Sequence, residues 1–477
     1  MIAWGVSAGF HDAALSVVDS RQILFASHSE RYSREKNDKN LHSDLIQDAL
    51  QFGYPEIIFW YENPLLKATR RIYAGQSNWY TNPKKYFTEA GFDPCCHIEW
   101  GNHHESHMAA GHYTSPFGSS ATLVIDAIGE WTTTSIWKNN KKIWSANYPR
   151  SLGLLYSAFT DRVGLKPNED EYILMGMAAY GEPNYQDEIY ELSRTRNFHR
   201  GARDFRPNLT SEQDLFDIAC SVQKVYESYF HALLYKARDL TGEKNLVFMG
   251  GCALNCLANR MIPRYFKKYW IMPSPGDAGS SLGAVLAKTR RYVKFKSPYL
   301  GYNIEGKYPV NAALKELMET GMVGVANGRA EFGPRALGNR SLLADPRGQE
   351  MKDKVNAIKQ RQEFRPFAPV IPQEKVSEYF DVPEDFESPY MQEVVRCKYP
   401  DEFPAIVHKD GTSRVQTVTK KQNSGLYRLL TKWEQETGCP MLLNTSLNIK
   451  GQPIVNNEKH ARDFEHKYNV RVFTQET

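Results

Sequence analysis

The chain lacks a strong charge imbalance. Its 477 residues carry 59 basic and 55 acidic side chains, a net charge of +4. A balance this close to neutral makes no general case for binding nucleic acid or a membrane surface. Long hydrophobic runs are missing as well: no stretch of about 18 uninterrupted apolar residues is present, so a membrane span is not expected. The opening Met1-Ile2-Ala3-Trp4-Gly5-Val6 has neither the basic start nor the long apolar core of a signal peptide. Cysteine is sparse. Seven residues, an odd number, are scattered apart from Cys95-Cys96 and the Cys252/Cys256 pair. They do not form a disulfide framework and fit reduced thiols in the cytoplasm. Cys95 and Cys96 beside His97 read as an incidental or buried pair before they read as metal ligands. Internal repeats and low-complexity tracts are absent. What remains is globular, with 41% hydrophobic and 12% aromatic residues and a length that suggests two or three domains.

Against that background His103-His104-Glu105-Ser106-His107 is the most informative stretch. On a helix His103 and His107 project from one face, one turn apart. That spacing holds two imidazoles on one metal ion. Asp126, at the end of the apolar run Leu123-Val124-Ile125, is placed to complete the set if the run is a strand. His104 faces away from such a pair and suits a supporting or surface role, and His112 is not expected to be a ligand.

The hydrophobic pattern gives an α/β organisation. Residues 2–6 and 13–18 read as two strands around a turn at residues 7–12, and residues 121–130 and 132–137 as a second hairpin. Paired hairpins of this kind occur where nucleotide phosphates approach backbone amides, although two ordinary hairpins would look the same. Residues 211–239 read as a long helix and residues 246–249 as a buried strand. Gly250-Gly251 follows and lets the backbone turn tightly beside a ligand. A short strand at residues 268–272 leads into a turn-rich segment that carries Asp277 and then small residues able to open a helix. Strand, glycine turn and helix in alternation place a site at strand ends. The polar, basic residues 288–310 mark the domain junction, giving domains of residues 1–303 and 304–477.

The second half differs in character. Arg329, Arg335, Arg340 and Arg347 sit among glycine and proline turns, with Lys359, Arg361, Arg365 and Arg414 beyond them and Asn444-Thr445-Ser446-Leu447-Asn448 near the end. Guanidinium forks beside amide and hydroxyl donors suit a phosphate or carboxylate. The plainer alternative is that each arginine pairs locally or lies on a solvated face.

These motifs resemble the NodU/CmcH-type O-carbamoyltransferases of antibiotic tailoring and nodulation-factor decoration. The match runs through GRAEFGPRALGNRSLLADPR at residues 328–347, the most specific piece, and through FRPFAP at 364–369, SPYM at 388–391, DGTSRVQ at 410–416 and LNTSLN at 443–448. HHESH at 103–107, MGMAAYG at 175–181 and GGCALN at 250–255 extend it into the first half.

The resemblance implies an actin/sugar-kinase-like (ASKHA) first domain and an α+β, YrdC-like second domain. It implies that carbamoyl phosphate and ATP give carbamoyl adenylate in the second domain. The carbamoyl group then passes to an acceptor hydroxyl at a metal site in the first. Lys359, Arg365, Arg414, Asn444 and Ser446 match the carbamoyl phosphate positions, with Lys359 and Arg365 in catalytic roles. Gly129, Gly250, Gly251, Asn255 and Arg335 match the nucleotide positions. His103, His107, Asp126 and Asp277 match the metal ligands; the family favours iron(II), and the donor set alone also accepts manganese or zinc. His11 matches a histidine that assists the acceptor hydroxyl, and an imidazole of ordinary pKa accepts a proton near neutral pH; the alternative is a histidine bonded in the turn.

The acceptor class stays open among sugars, nucleosides or nucleotides, and natural products. Trp60, Tyr61, Trp79, Tyr80, Lys84, Lys85 and Tyr86 could line its pocket or belong to a packed insertion. Ile173 stands where many relatives have lysine, and the C-terminal closing segment of the family is expected to be trimmed. Relatives self-associate, so a homodimer is open. Two other functions compete. One is a threonylcarbamoyl-type tRNA modification enzyme, disfavoured by the weak basic excess. The other is a non-catalytic nucleotide-binding regulatory protein, disfavoured by the intact ligand sets.

Overall fold

The computed structural model describes residues 1–76, 80–362, 365 and 367–476; Trp79, Phe364 and Pro366 lie outside the described residues. The chain divides into two compact units. The first comprises residues 1–24 and 39–295, the second residues 25–38 and 296–477.

The first unit contains two five-stranded sheets built on one plan. In the first sheet β1 (Ile2–Ser7) pairs antiparallel with β2 (Ala14–Asp19) and parallel with β4 (Ile57–Trp60). With β3 (Gln22–His28), of which residues 22–24 belong to this unit, and β5 (His97–Trp100) the order is β3-β2-β1-β4-β5. In the second, β6 (Ala121–Ile125) pairs antiparallel with β7 (Thr132–Lys138) and parallel with β9 (Asn245–Met249). With β8 (Lys141–Asn147) and β10 (Lys268–Trp270) the order is β10-β9-β6-β7-β8. Both expected hairpins are therefore present. β6 is buried along its whole length and β1 over five of its six residues, which is why they read as continuous apolar runs.

Glycine lets the helices come close to one another and to the sheets. A Cβ on Gly283, in the Ser280–Thr289 helix, would lie 1.8 Å from the Ser106 carbonyl oxygen of the His103–His112 helix. One on Gly5 of β1 would lie 1.8 Å from the Ser281 oxygen. The expected long helix runs Glu212–Thr241, opened by a Ser211/Asp214 capping box and closed by Gly242 at φ 69.

The second unit is built on a six-stranded mixed sheet of order β18-β15-β19-β14-β12-β20. Its strands are β12 (Met322–Ala326), β14 (Arg340–Ala344), β15 (Ala368–Pro372), β18 (Gln416–Val418), β19 (Leu442–Ser446) and β20 (Val472–Phe473). Two short ladders accompany it: β11 (Tyr299–Ile304) with β13 (Gly328–Glu331), and β16 (Val395–Arg396) with β17 (Thr412–Ser413). Strand alternation sends neighbouring residues to opposite faces. Leu342, Ile371 and Leu443 enter one apolar core, and Leu343, Val370 and Leu442 enter the other. Each fully buried aliphatic side chain contributes about 1.5–3 kcal/mol.

The expected division after residue 303 falls inside β11, which belongs whole to the second unit. Residues 25–38, expected in the first domain, also belong to the second unit. The reason is local: Arg31 Nη2 donates to the Gly333 carbonyl at 2.8 Å, and Arg34 donates to the Ile454 and Pro453 carbonyls at 2.7 Å each. The last strand, β20, pairs parallel with β12. Among the described residues no helix is long and apolar enough to cross a membrane.

A candidate metal centre and a candidate anion site

In the first unit His103, His107, Asp126 and Asp277 converge, and one donor atom from each lies within 4.8 Å of the others. It is the one such compact His/Cys/Asp/Glu group found among the described residues. His103 and His107 come from one face of their helix, as their spacing requires. Asp126 follows β6, and Asp277 opens the turn before the Ser280–Thr289 helix. His103 Nε2 lies 3.0 Å from Asp126 Oδ2 and 3.3 Å from Asp277 Oδ1; His107 Nε2 lies 3.1 Å from His103 Nε2 and 3.2 Å from Asp277 Oδ1. All four residues are buried.

Burial and the Asp277 charge oppose ionisation of Asp126, yet the two imidazoles outweigh them and bring its pKa to about 2. Burial likewise opposes the charge on Asp277, which the histidines hold well below the usual range. Two carboxylates and two imidazole nitrogens gathered at one buried point form a donor set that fits a divalent cation.

The surrounding residues place these donors. Asp126 Oδ1 accepts the Gly251 amide at 3.2 Å, so its Oδ2 is left toward the histidines. Gly250 has φ 93, and a Cβ there would lie 2.1 Å from the Ile125 oxygen. A Cβ on Gly129 would press on His103 and His104 at 3.1 Å. Gly129 and Gly251, expected at a nucleotide, thus lie against the donors, with Gly250 packed on the backbone just before Asp126. Asn255 is fully engaged elsewhere: its side chain caps the Cys256–Asn259 helix and exchanges hydrogen bonds with Gln223.

His11 Nε2 lies 3.7 Å from Asp277 Oδ2, and its Nδ1 lies 3.2 Å from Asp12 Oδ2. Burial disfavours its charge, but Asp12, Asp277 and Asp126 raise its pKa to about 9. At neutral pH it therefore holds a proton, which differs from the expected base with a pKa near 6.5. The sequence carried no sign that three carboxylates surround it.

His104 and His112 stand apart, as expected. His104 Nδ1 meets Ser135 Oγ at 2.8 Å, and His112 meets Ser120 Oγ and Tyr292 Oη at 3.3 and 2.8 Å. Burial pushes His112 down to about 4. Sequence reasoning missed Glu62, Lys67 and Glu130, which are buried beside His103. Glu130 Oε1 accepts the His103 and Asn63 amides at 2.8 Å each. Trp60 and Tyr61 are buried, and Tyr86 bonds the backbone at residues 39 and 41, so these aromatics pack the fold. Ile173 is also buried.

In the second unit Lys359 is the centre of a polar group. Its Nζ donates to the Ser446 carbonyl at 2.6 Å and to Asn448 Oδ1 at 2.7 Å, and lies 3.2 Å from Ser446 Oγ. Burial, followed by the charges of Arg361, Arg365 and Lys36, holds Lys359 well below the usual lysine range. Asn444 lies two residues before Ser446 on β19 and so on the same face. Its Nδ2 meets Gln416 Oε1 at 2.6 Å, while its Oδ1 is buried without a partner. Arg414 Nε is likewise buried and unpartnered. Arg335 is half-buried in this unit.

The glycine-flanked arginines divide. Arg340 is fully buried and donates to the carbonyls of Asn327, Gly328, Asn339, Tyr302 and Asn456. Arg329 donates to Leu300 and Gly301 carbonyls, and Arg347 to both Asp345 oxygens. For these three the local-pairing alternative holds.

Residues 93–286 match the sequence family described as Carbamoyltransferase N-terminus, and residues 314–476 match Carbamoyltransferase C-terminus. The chain is 33% identical to the uncharacterized protein sll1178 of Synechocystis sp., over 94% of this chain and 92% of that protein. It is 30% identical to nodulation protein NolNO of Sinorhizobium fredii, over 94% and 76%. It is 27% identical to 3'-hydroxymethylcephem-O-carbamoyltransferase of Streptomyces clavuligerus, over 94% and 92%.

Proposed function

The chain belongs to the carbamoyltransferase family of NodU/CmcH type, and from that premise we propose that it is an ATP-dependent O-carbamoyltransferase acting on a small hydroxyl-bearing acceptor. The observation that carries this reading is the buried His103–His107–Asp126–Asp277 group in the first unit. A separate cation group around Lys359 in the second unit supports it.

In this reading the first unit is the ASKHA-like transfer domain, supported by its two sheets of identical plan. The second is the YrdC-like domain that forms the adenylate. There Lys359, Arg365 and Arg414 bind the dianion of carbamoyl phosphate, with Asn444 and Ser446 as neutral donors. Arg335 binds the nucleotide. Carbamoyl phosphate, ATP and water give carbamoyl adenylate, phosphate and pyrophosphate.

In the first unit the acceptor oxygen bonds to the carbamoyl carbon as the bond from that carbon to AMP breaks, releasing AMP and the hydroxyl proton. His103, His107, Asp126 and Asp277 would hold a divalent ion, iron(II) first by family, and this ion would supply positive charge where the carbamoyl oxygen gains negative charge. His11, 3.7 Å from Asp277 and protonated at neutral pH, would meet the acceptor as a hydrogen-bond donor and not as its base. The acceptor's scope is a sugar, a nucleoside or nucleotide, or a natural product, in the cytoplasm.

The test is carbamoyl phosphate-dependent release of AMP from ATP, with labelled carbamoyl phosphate and a panel of hydroxylated small molecules. The expected result is AMP release coupled to label transfer onto one acceptor class. No AMP release with any acceptor would defeat the reading.

A further inference from the structure

Two buried side chains beside the candidate metal centre have no place in the chemistry above. Glu62 follows β4 and precedes the Pro64–Tyr73 helix, which Asn63 caps by accepting the Leu65 and Leu66 amides. That helix carries Lys67 back over Glu62, and the two form a buried ion pair. Lys67 Nζ also sits 5.6 Å from the centre of the Phe10 ring and 5.9 Å from that of Tyr61. One Glu62 oxygen is thereby committed to the lysine. The other, Oε2, lies 3.9 Å from His103 Nδ1.

That nitrogen has no hydrogen-bond partner although its residue is only 2% exposed. A buried imidazole N–H without an acceptor costs roughly 1–3 kcal/mol, and Glu62 Oε2 is an acceptor that an approach of about 1 Å would bring into hydrogen-bond range. The His103 backbone is already fixed by Glu130, so ring orientation is the remaining freedom. A buried ion pair is by itself weak evidence of stabilisation. A role toward His103 is what gives this one a purpose.

We propose that Glu62, held in place by Lys67, is a positioning residue for His103. It accepts from Nδ1–H, fixes the tautomer, and leaves Nε2 with its lone pair toward Asp126, Asp277 and His107. The inference rests on the metal reading of that group. Acceptors set behind metal-bound histidines typically change metal affinity 10–100-fold when removed.

Cobalt(II) binding to metal-free protein, measured by equilibrium dialysis and by its visible spectrum, tests this. Wild type is expected to bind one ion per chain. Glu62→Gln is expected to bind it 10–100-fold more weakly with an altered spectrum. Because Glu62→Gln leaves Lys67 buried without a counter-charge, the double variant Glu62→Leu/Lys67→Met is the second arm. It is expected to keep the melting temperature of the metal-free protein and show the same loss of affinity. Folded variants that bind cobalt(II) as tightly as wild type would overturn the role of Glu62 and leave the metal reading standing. Wild type that binds none would overturn the metal reading and this proposal with it.

Discussion

Gly283→Ala tests how the fold sets the candidate metal centre. The added Cβ would lie 1.8 Å from the Ser106 oxygen, 2.6 Å from the Ser106 carbonyl carbon and 3.1 Å from Ala110 Cβ. Two of these contacts are backbone, so no side chain can swing aside, and the two helices must separate by more than about 1 Å. One of them carries His103 and His107; the other begins just after Asp277. Overpacking of this kind costs typically ~1–3 kcal/mol. The effect on the site is sharper, because metal–ligand distances tolerate only about 0.2 Å. The variant should fold with a melting temperature several degrees lower and lose metal affinity by more than tenfold, measured by elemental analysis and cobalt(II) titration. Gly118→Ala is the control, since a Cβ there meets nothing within 4 Å. A Gly283→Ala protein with wild-type melting and full metal occupancy would refute the claim that this helix contact sets the donor geometry.

Two further predictions concern protons. Lys359 is held below the usual lysine range by burial and by Arg361, Arg365 and Lys36, so an anion must draw a proton onto it once pH exceeds that lowered value. Sulfate, a dianion throughout, should bind more weakly as pH rises through that lowered value, by calorimetry, and Lys359→Met should bind poorly at every pH; wild-type binding that holds unchanged up to the usual lysine range would contradict this. His112 falls to about 4 when folded. The unfolded chain therefore takes up the proton first, and the stability His112 contributes is full above pH 6.5 and lost on descent through pH 4, about 3 kcal/mol in all. His112→Gln should show a smaller fall in melting temperature between those pH values, and an unchanged fall would count against it.

What the sequence made legible were features encoded by local spacing. His103 and His107 have the spacing of one helix face, and Asp126 closes a short apolar run that reads as a buried strand. Asp277 and the Lys359 set came from family resemblance, not from spacing. The features that escaped are made by contacts far apart in the chain. Nothing near Glu62 or Lys67 marks them as partners of a histidine some forty residues on. Residues 25–38 look like part of the first domain until Arg31 and Arg34 are seen bonded to carbonyls at 333, 453 and 454. Arg340 looks like an anion ligand in one dimension and is a five-carbonyl clamp in three. The raised pKa of His11 is invisible in the sequence because two of the three carboxylates acting on it, Asp126 and Asp277, come from distant parts of the chain.

The central claim is that activation and transfer occupy different residue sets in different units. The most direct measurement compares His103→Ala and Lys359→Met for carbamoyl phosphate-dependent ATP–pyrophosphate exchange and for label transfer to the acceptor. His103→Ala should keep exchange and lose transfer, while Lys359→Met should lose both. If folded His103→Ala lost exchange as completely as transfer, or if Lys359→Met retained both, the division would be wrong.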